Sequence, residues 1–136
     1  LGTRSAFVVH GDGGLDEGSL SGRAKISEVK DGSVHTYYLD PAEYGFSRAD
    51  VSDLQGGDAA CNAEITRNVL QGETGPKRDV VVINSALALV AAGKADNVGE
   101  GILLAQNVIN QGLAHDKLNE LIKFSNELAG GTARVV

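Results

Sequence analysis

Residues 6–17 read AFVVHGDGGLDE, a short apolar run that enters a glycine-rich loop and ends on two adjacent carboxylates. The run from Ala6 to His10 predicts a buried strand, and the glycines after it allow positive φ and close approach of other groups. Ligands of open α/β sheets bind beyond the carboxyl ends of strands, which is where Asp16 and Glu17 then lie. Carboxylates are hard oxygen ligands that suit Mg²⁺ or Ca²⁺. The stretch predicts a candidate metal loop, although residue chemistry alone also allows a solvated acidic turn.

The segment after the loop predicts a β-hairpin. Residues 23–29 and 34–39 are rich in β-formers and flank an Asp-Gly pair at positions 31 and 32. Asp-Gly between two such runs is a strong hairpin signal. A short helical turn should follow, because Asp40-Pro41 has a helix-start signature and Gly45 stops it.

Helices are predicted for the rest of the chain, from apolar residues that recur at helical spacing. Asp58 should cap the first, the nearly all-apolar run 79–92 should form a buried second, and the last should end at Gly130-Gly131. The stripes that predict these helices are Cys61, Ile65 and Val69; Val80, Ile83, Leu87 and Val90; Val98, Ile102, Ala105 and Ile109; and Leu118, Leu121, Ile122 and Leu128.

Composition argues against several partners. The net charge of −6 and pI near 4.9 disfavour nucleic acid, whose phosphate backbone selects basic surfaces. No uncharged apolar run reaches the roughly 18 residues that a membrane span needs. The single cysteine, Cys61, cannot form an intrachain disulfide, so a reducing cytoplasm is the expected location. A phosphorylated small molecule remains possible if a divalent cation mediates the contact.

The start of the chain suggests a fragment. It opens at Leu1, contains no Met, and enters the first strand within about five residues. One strand and one hairpin cannot complete a sheet beneath all the helical pieces. We expect residues 1–136 to be a single segment of an α/β domain whose upstream half lies outside this sequence.

The string at residues 10–17, HGDGGLDE, resembles the magnesium loop of the anthranilate phosphoribosyltransferases, and further motifs match in the same order. They are Ser21-Gly22, Leu39-Asp40-Pro41, Tyr44-Gly45-Phe46, Leu54-Gln55-Gly56-Gly57-Asp58 with Asn62, Gly75-Pro76-Lys77-Arg78-Asp79, Asn84-Ser85-Ala86, Ala92-Gly93-Lys94-Ala95 and Phe124-Ser125. The resemblance covers essentially the whole chain. It implies the C-terminal section of the α/β catalytic domain of the nucleoside phosphorylases and phosphoribosyltransferases, with a partial sheet, a β-hairpin and a helical C-terminal half.

The resemblance also implies an activity. The family transfers the phosphoribosyl group of phosphoribosyl pyrophosphate to anthranilate and releases pyrophosphate, in tryptophan biosynthesis. The family's metal ligands match Asp16 and Glu17, which would bind Mg²⁺; no other ligand and no catalytic residue is carried over. The family's upstream glycine loop, donor-binding basic residues, anthranilate contacts and N-terminal helical domain have no counterpart here. We therefore expect about half of an active site, inactive alone, in a parent protein that forms a homodimer through the absent domain.

Two other functions stay open. One is a pyrimidine-nucleoside phosphorylase-like enzyme of similar architecture, which the Leu-Asp-Glu loop followed directly by a hairpin disfavours. The other is a non-enzymatic relative that binds nucleic acid, which the acidic charge disfavours.

The histidines and the cysteine have structural interpretations. His10 should be a strand-end histidine hydrogen-bonded to the loop rather than a general base. His35 and His115 should lie on the surface. Cys61, on the core-facing stripe of a helix, should be packing.

The other polar candidates are also expected to be structural. Asp58 should cap its helix instead of leaving Gly56-Gly57 to cradle an anion. Arg78-Asp79 and Asn84 should hold loops in place. The basic residues of the hairpin are too scattered in sequence to predict a phosphate patch; they are Arg23, Lys25 and Lys30.

Overall fold

The computed structural model describes residues 2–130, and its elements follow the predicted order. The strands are β1 (Ser5–His10), β2 (Ala24–Lys30) and β3 (Ser33–Leu39), and the helices are α1 (Ala59–Leu70), α2 (Pro76–Ala91), α3 (Val98–Asn110) and α4 (Leu113–Leu128). Short 3₁₀ turns occupy Asp12–Gly14, Pro41–Tyr44 and Val51–Leu54. The predicted α/β class is confirmed. No helix in this part of the chain is long and apolar enough to cross a membrane.

The three strands form one antiparallel sheet in the order β1-β2-β3. The predicted hairpin is confirmed: Asp31 and Gly32 both have positive φ, 49° and 78°. Positive φ at both central residues is the conformation whose twist matches that of the flanking strands, and Asp-Gly adopts it readily. The turn sets the β2–β3 register, in which Lys25 lies opposite Tyr38. On the other side of β2, Lys25 lies opposite His10 of β1.

One face of the sheet packs on the helices and the other is open. Val9, Ile26 and Tyr37 are in register across the three strands and all belong to the hydrophobic core or pack against it. Val8, which points the opposite way, is 65% exposed. The prediction of a buried β1 is therefore wrong for its outer face, because in residues 2–130 the helices cover only one side of the sheet.

The short turn after the hairpin has its predicted cap. The Ala42 N–H donates to Asp40 Oδ1 at 2.9 Å, and Gly45 ends the turn with φ 82°. Arg48 donates to both carboxylate oxygens of Asp40 at 2.7 and 2.8 Å. The Ala42 N–H, together with Arg48, lowers the pKa of the Asp40 carboxyl from its ordinary value.

Helices α2 and α3 supply most of the core, and the predicted buried helix in the run 79–92 is confirmed. Val82 and Ile83 of α2 are fully buried, and all four residues of the α3 stripe are buried. Helix α4 differs, since none of its residues is buried and Leu128 is 72% exposed. The stripe is present, but within residues 2–130 only the start of α4, at Ala114, packs on the core. The predicted end at Gly130-Gly131 lies partly outside the described residues.

Cys61 contradicts its predicted role in packing. It is exposed, whereas Val69 at the other end of the same stripe is buried. Val69, in the C-terminal turn, is the one buried residue of α1.

A glycine allows the close crossing of α2 and α3. A Cβ built on Gly101 would lie 2.8 Å from the Ala86 carbonyl oxygen and 3.0 Å from the Ala86 Cβ. Because those atoms belong to a packed helix, we expect Gly101→Ala to lower the free energy of unfolding by about 1–3 kcal/mol, measured by urea denaturation. Gly99→Ala in the same helix is the control. There the nearest atom is the Asn97 side-chain oxygen at 3.3 Å, and the gain in helix propensity should offset that contact. Equal losses in both variants would contradict the packing argument.

Candidate functional site

The loop after β1 closes on itself through its own backbone. The Gly11 N–H donates to the Leu15 carbonyl at 2.8 Å, and the Gly14 N–H donates to the Gly11 carbonyl at 3.2 Å. Gly13 and Gly14 have φ of 76° and 81°, a region that residues with a side chain rarely adopt. The glycines predicted to allow an irregular path therefore form a tight turn at Asp12–Gly14 whose backbone is left-handed at Gly13 and Gly14.

Asp16 and Glu17 follow this turn and are both exposed. Neither carboxylate forms a hydrogen bond or an ion pair with any other residue between positions 2 and 130, so both are available to a ligand. That part of the chain brings no group of three or more His, Cys, Asp or Glu side chains together. The pair suits Mg²⁺. This ion usually keeps several of its waters and is bound by one or two carboxylates together with substrate phosphates, so it needs no closed cage of protein ligands.

The segment after the two carboxylates is anchored in the core. Gly18, Ser19 and Leu20 are buried, and the last two are fully so. Asn84 of α2 binds Gly18 at both its N–H and its carbonyl, which confirms the prediction that Asn84 holds a loop. The exposed pair therefore lies between a closed turn and a buried anchor.

Arg78 and Asp79 do not contact this loop. Arg78 Nη2 donates to Asn110 Oδ1 at 2.8 Å and so ties α2 to the end of α3. Burial raises the pKa of the Asp79 carboxyl, and the neighbouring Arg78 opposes that shift.

Two of the three basic residues thought too scattered for a patch lie together beside the loop. Arg23 and Lys25 line a shallow recess of about 230 Å³, together with His10, Tyr38, the acidic residue Asp12 and the glycines of the loop. The hairpin register places Lys25 directly between His10 and Tyr38, and the Arg23 guanidinium lies 5.4 Å from the centre of the Tyr38 ring. Arg23 and Lys25 therefore share one recess, whereas Lys30 lies at the far end of β2.

Residues 1–115 match the family model described as glycosyl transferase family, a/b domain. The chain belongs to this family. Among curated members, the anthranilate phosphoribosyltransferase of Pelotomaculum thermopropionicum is 53% identical over 135 residues, which are 99% of this chain and 39% of the relative. That of Desulforamulus reducens is 49% identical over 130 residues, 96% of this chain and 38% of the relative.

Solved structures agree with the family assignment. The anthranilate phosphoribosyltransferase of Thermus thermophilus superposes with a TM-score of 0.80 at 37% identity, covering 88% of this chain and 35% of its own. That of Saccharomyces cerevisiae, in complex with PRPP and Mg, gives 0.78 at 27% identity, covering 88% and 34%. The chain therefore spans less than two-fifths of the length of the relatives it matches, and the resemblance read from the sequence is confirmed.

The histidines of this family member only partly follow prediction. The His10 side chain is exposed and has no hydrogen-bond partner among the described residues, so the predicted bond to the loop is absent. His35 is exposed, as predicted. His115 is half-buried and lies 3.4 Å from the Gln71 side-chain nitrogen, which places it between α4 and the end of α1.

The capping role of Asp58 is confirmed, since its carboxylate accepts from the Cys61 N–H at 2.9 Å. Asn62 closes the preceding loop by accepting from the Gly57 N–H and donating to the Gly57 carbonyl, each at 2.9 Å. In the sequence, Asn62 stands out only as a family match. The signal for this loop closure is an Asn five residues after the second glycine of a pair at a helix start.

Proposed function

We propose that this chain supplies the magnesium loop for transfer of the phosphoribosyl group from phosphoribosyl pyrophosphate to anthranilate, giving N-(5-phosphoribosyl)anthranilate and pyrophosphate, in tryptophan biosynthesis. The observation that carries the proposal is the pair of free carboxylates, Asp16 and Glu17, presented on an anchored loop. The proposal is also supported by the alignment of 99% of the chain with the anthranilate phosphoribosyltransferase of Pelotomaculum thermopropionicum.

The charges at the loop explain the need for a cation. Two carboxylates facing a phosphate would each repel it by about 1 kcal/mol at 4 Å in water, and by more in a drier site. Asp16 and Glu17 would hold Mg²⁺, which when bound acts as a Lewis acid that stabilises the departing pyrophosphate. Arg23 and Lys25 outweigh the single carboxylate of Asp12 in the neighbouring recess, and the net positive charge favours an anionic ligand.

We assign only part of an active site to this chain. Near the loop, residues 2–130 offer the carboxylates of Asp12, Asp16 and Glu17 and the recess with Arg23 and Lys25, and no anthranilate pocket is assigned among them. We therefore expect the isolated chain to be inactive. A cytoplasmic location and dimerisation of the parent through an N-terminal domain stay predictions.

A chimera tests this function directly. This chain replaces the aligned segment of the Pelotomaculum thermopropionicum relative, with which it shares 53% identity. We expect the purified chimera to consume anthranilate in the presence of phosphoribosyl pyrophosphate and Mg²⁺, measured as loss of anthranilate fluorescence. The isolated chain and the relative lacking the segment should both be silent.

The outcomes separate the alternatives. A chimera that folds, as judged by circular dichroism and a cooperative thermal transition, yet shows no turnover would contradict the proposal. Phosphorolysis of a pyrimidine nucleoside by the chimera, without anthranilate consumption, would instead support the phosphorylase alternative. Activity in the isolated chain would show that the remaining parts of the relatives are dispensable for the reaction.

A further inference from the structure

We propose that Asn84 is a positioning residue for the Mg²⁺ ligands: its side-chain amide fixes the backbone directly after Glu17 and thereby sets where the two carboxylates can reach. The inference rests on the proposed metal role of Asp16 and Glu17. It assigns a function to a helix residue 66 positions from the loop in sequence.

The amide makes three hydrogen bonds to backbone atoms. Asn84 Oδ1 accepts from the Gly18 N–H at 2.7 Å, and Nδ2 donates to the Gly18 carbonyl at 3.1 Å and to the Val80 carbonyl at 2.9 Å. The partners define the orientation of the amide, because two of them are acceptors and one is a donor. A carboxylate in its place would face two carbonyl oxygens, and an aliphatic side chain would remove both partners from Gly18, whereas the Val80 carbonyl would keep its bond within the helix.

The hydrogen bonds from Asn84 to Gly18, which we call the clamp, rest on a rigid support. The bond to Val80, one helical turn earlier, holds the Asn84 side chain against α2, whose Val82 and Ile83 are fully buried. The bonds to Gly18 carry that rigidity to the loop. Gly18 itself is a close fit, since a Cβ there would lie 3.1 Å from Asn84 Oδ1. The loop is thus anchored to the core of the molecule at one residue, Gly18.

The position of Gly18 explains why the clamp affects the metal ligands. Gly18 is buried and Glu17 is exposed, so the clamp marks the point where the chain leaves the core and enters the candidate metal loop. Metal sites lose about 10- to 100-fold in affinity when groups that orient their ligands are removed, even though those groups never touch the metal. Unclamped, residues 16–18 would sample many backbone conformations, of which few would point both carboxylates at one ion.

The variants are chosen to separate positioning from stability. Asn84→Ala removes all three bonds, while Asn84→Asp keeps an acceptor for the Gly18 N–H and loses both donations. Val82→Ala is the matched control. The substitution shortens a fully buried side chain of the same helix, and Val82 forms no side-chain hydrogen bond with Gly18. A purely structural role for Asn84 predicts that all three variants behave alike once their stabilities are matched.

The first measurement needs no enzyme activity. In the full 136-residue chain, amide hydrogen exchange should be slow at Gly18, and Asn84→Ala should speed it by about tenfold or more under conditions where the helices remain protected. Mn²⁺, used as a paramagnetic probe, should broaden the amide signals of residues 15–18 in the wild-type chain, and about ten times more Mn²⁺ should be needed in Asn84→Ala. Val82→Ala should leave the Mn²⁺ dependence unchanged.

The second measurement uses the chimera. Asn84→Ala and Asn84→Asp should raise the Mg²⁺ concentration for half-maximal turnover by about tenfold, with a smaller change at saturating Mg²⁺. Val82→Ala should lower the unfolding temperature without moving that concentration. Unchanged Gly18 exchange in Asn84→Ala, or equal shifts in metal dependence for Asn84→Ala and Val82→Ala, would overturn the inference.

Failure of the proposed function would look different. If Mn²⁺ does not broaden residues 15–18 of the wild-type chain or act on the chimera through Asp16 and Glu17, the metal assignment is wrong, and the positioning role is overturned with it. Gly18 exchange would still report whether Asn84 clamps the loop.

Discussion

Replacing Asp16 by Asn and Glu17 by Gln together is expected to lower the turnover of the chimera at least about a hundredfold and to weaken its dependence on Mg²⁺. The amides keep the size and shape of the acids but lose the charge that binds a hard cation. Both side chains are exposed and form no hydrogen bonds with other described residues, so the fold should be unaffected. Turnover is measured by anthranilate fluorescence across a Mg²⁺ titration.

The matched control removes the same amount of negative charge at two positions outside the loop. Glu64→Gln with Glu127→Gln removes two exposed carboxylates from α1 and α4, far from the loop in sequence, and should leave turnover and Mg²⁺ dependence at the wild-type values. If the loop variant keeps wild-type turnover and an unchanged Mg²⁺ profile, Asp16 and Glu17 are not the metal ligands. If both double variants lose activity equally, the loss reflects net charge and not the site.

The parts of the fold that could be predicted are those decided by neighbouring residues. Asp31-Gly32 specifies a turn because both residues tolerate positive φ, and the strands on either side follow from it. Helices α2 and α3 could be predicted because their apolar residues repeat at helical spacing and end at glycines. These signals are local and need no knowledge of the rest of the chain.

The predictions that failed concern what lies against a surface. Periodicity shows that Leu121, Ile122 and Leu128 share a side of α4, and Cys61 and Val69 a side of α1, but not whether another element covers it. The structure leaves Leu128 72% exposed and buries Val69. The prediction that β1 is buried fails for the same reason at its outer face, where Val8 is exposed. Burial is decided by packing partners, which periodicity does not reveal, and within residues 2–130 the exposed parts of these faces have none.

The candidate site could be predicted in part for a related reason. The acidic pair is contiguous in sequence, so its chemistry is visible at once. The recess is not, since Lys25 meets His10 and Tyr38 only through strand register. The clamp is less visible still, because Asn84 and Gly18 are joined by the docking of α2 on the loop. Sequence reasoning placed Asn84 correctly as a loop anchor without identifying which loop it holds.

Gly11→Ala is expected to damage the metal loop without touching a ligand side chain. The φ of Gly11 is −79°, which any residue can adopt, so the reason for glycine is steric. A Cβ at this position would lie 2.4 Å from the Glu17 carbonyl oxygen and 3.0 Å from the Ser19 Cβ. The first of these is a backbone atom beside a buried anchor, so no side-chain rotation relieves the overlap, and the loop must open.

Opening the loop should displace the Glu17 carboxylate. We expect Gly11→Ala to lower the free energy of unfolding by about 1–3 kcal/mol and to raise the Mg²⁺ concentration for half-maximal turnover of the chimera by about tenfold or more. Amide chemical shifts of residues 15–18 in the 136-residue chain report the displacement directly.

Gly14→Ala distinguishes this steric effect from general loop strain. Gly14 has φ 81°, but a Cβ on it would meet no atom within 4 Å. The variant should lose roughly 1–2 kcal/mol from backbone strain and keep the wild-type Mg²⁺ dependence, because nothing pushes on Glu17. Two variants of similar stability and different metal dependence would show that contact between Gly11 and Glu17 shapes the loop. Similar metal dependence in both would mean that loop strain alone governs it, and that the close packing at Gly11 has no part in placing the ligands.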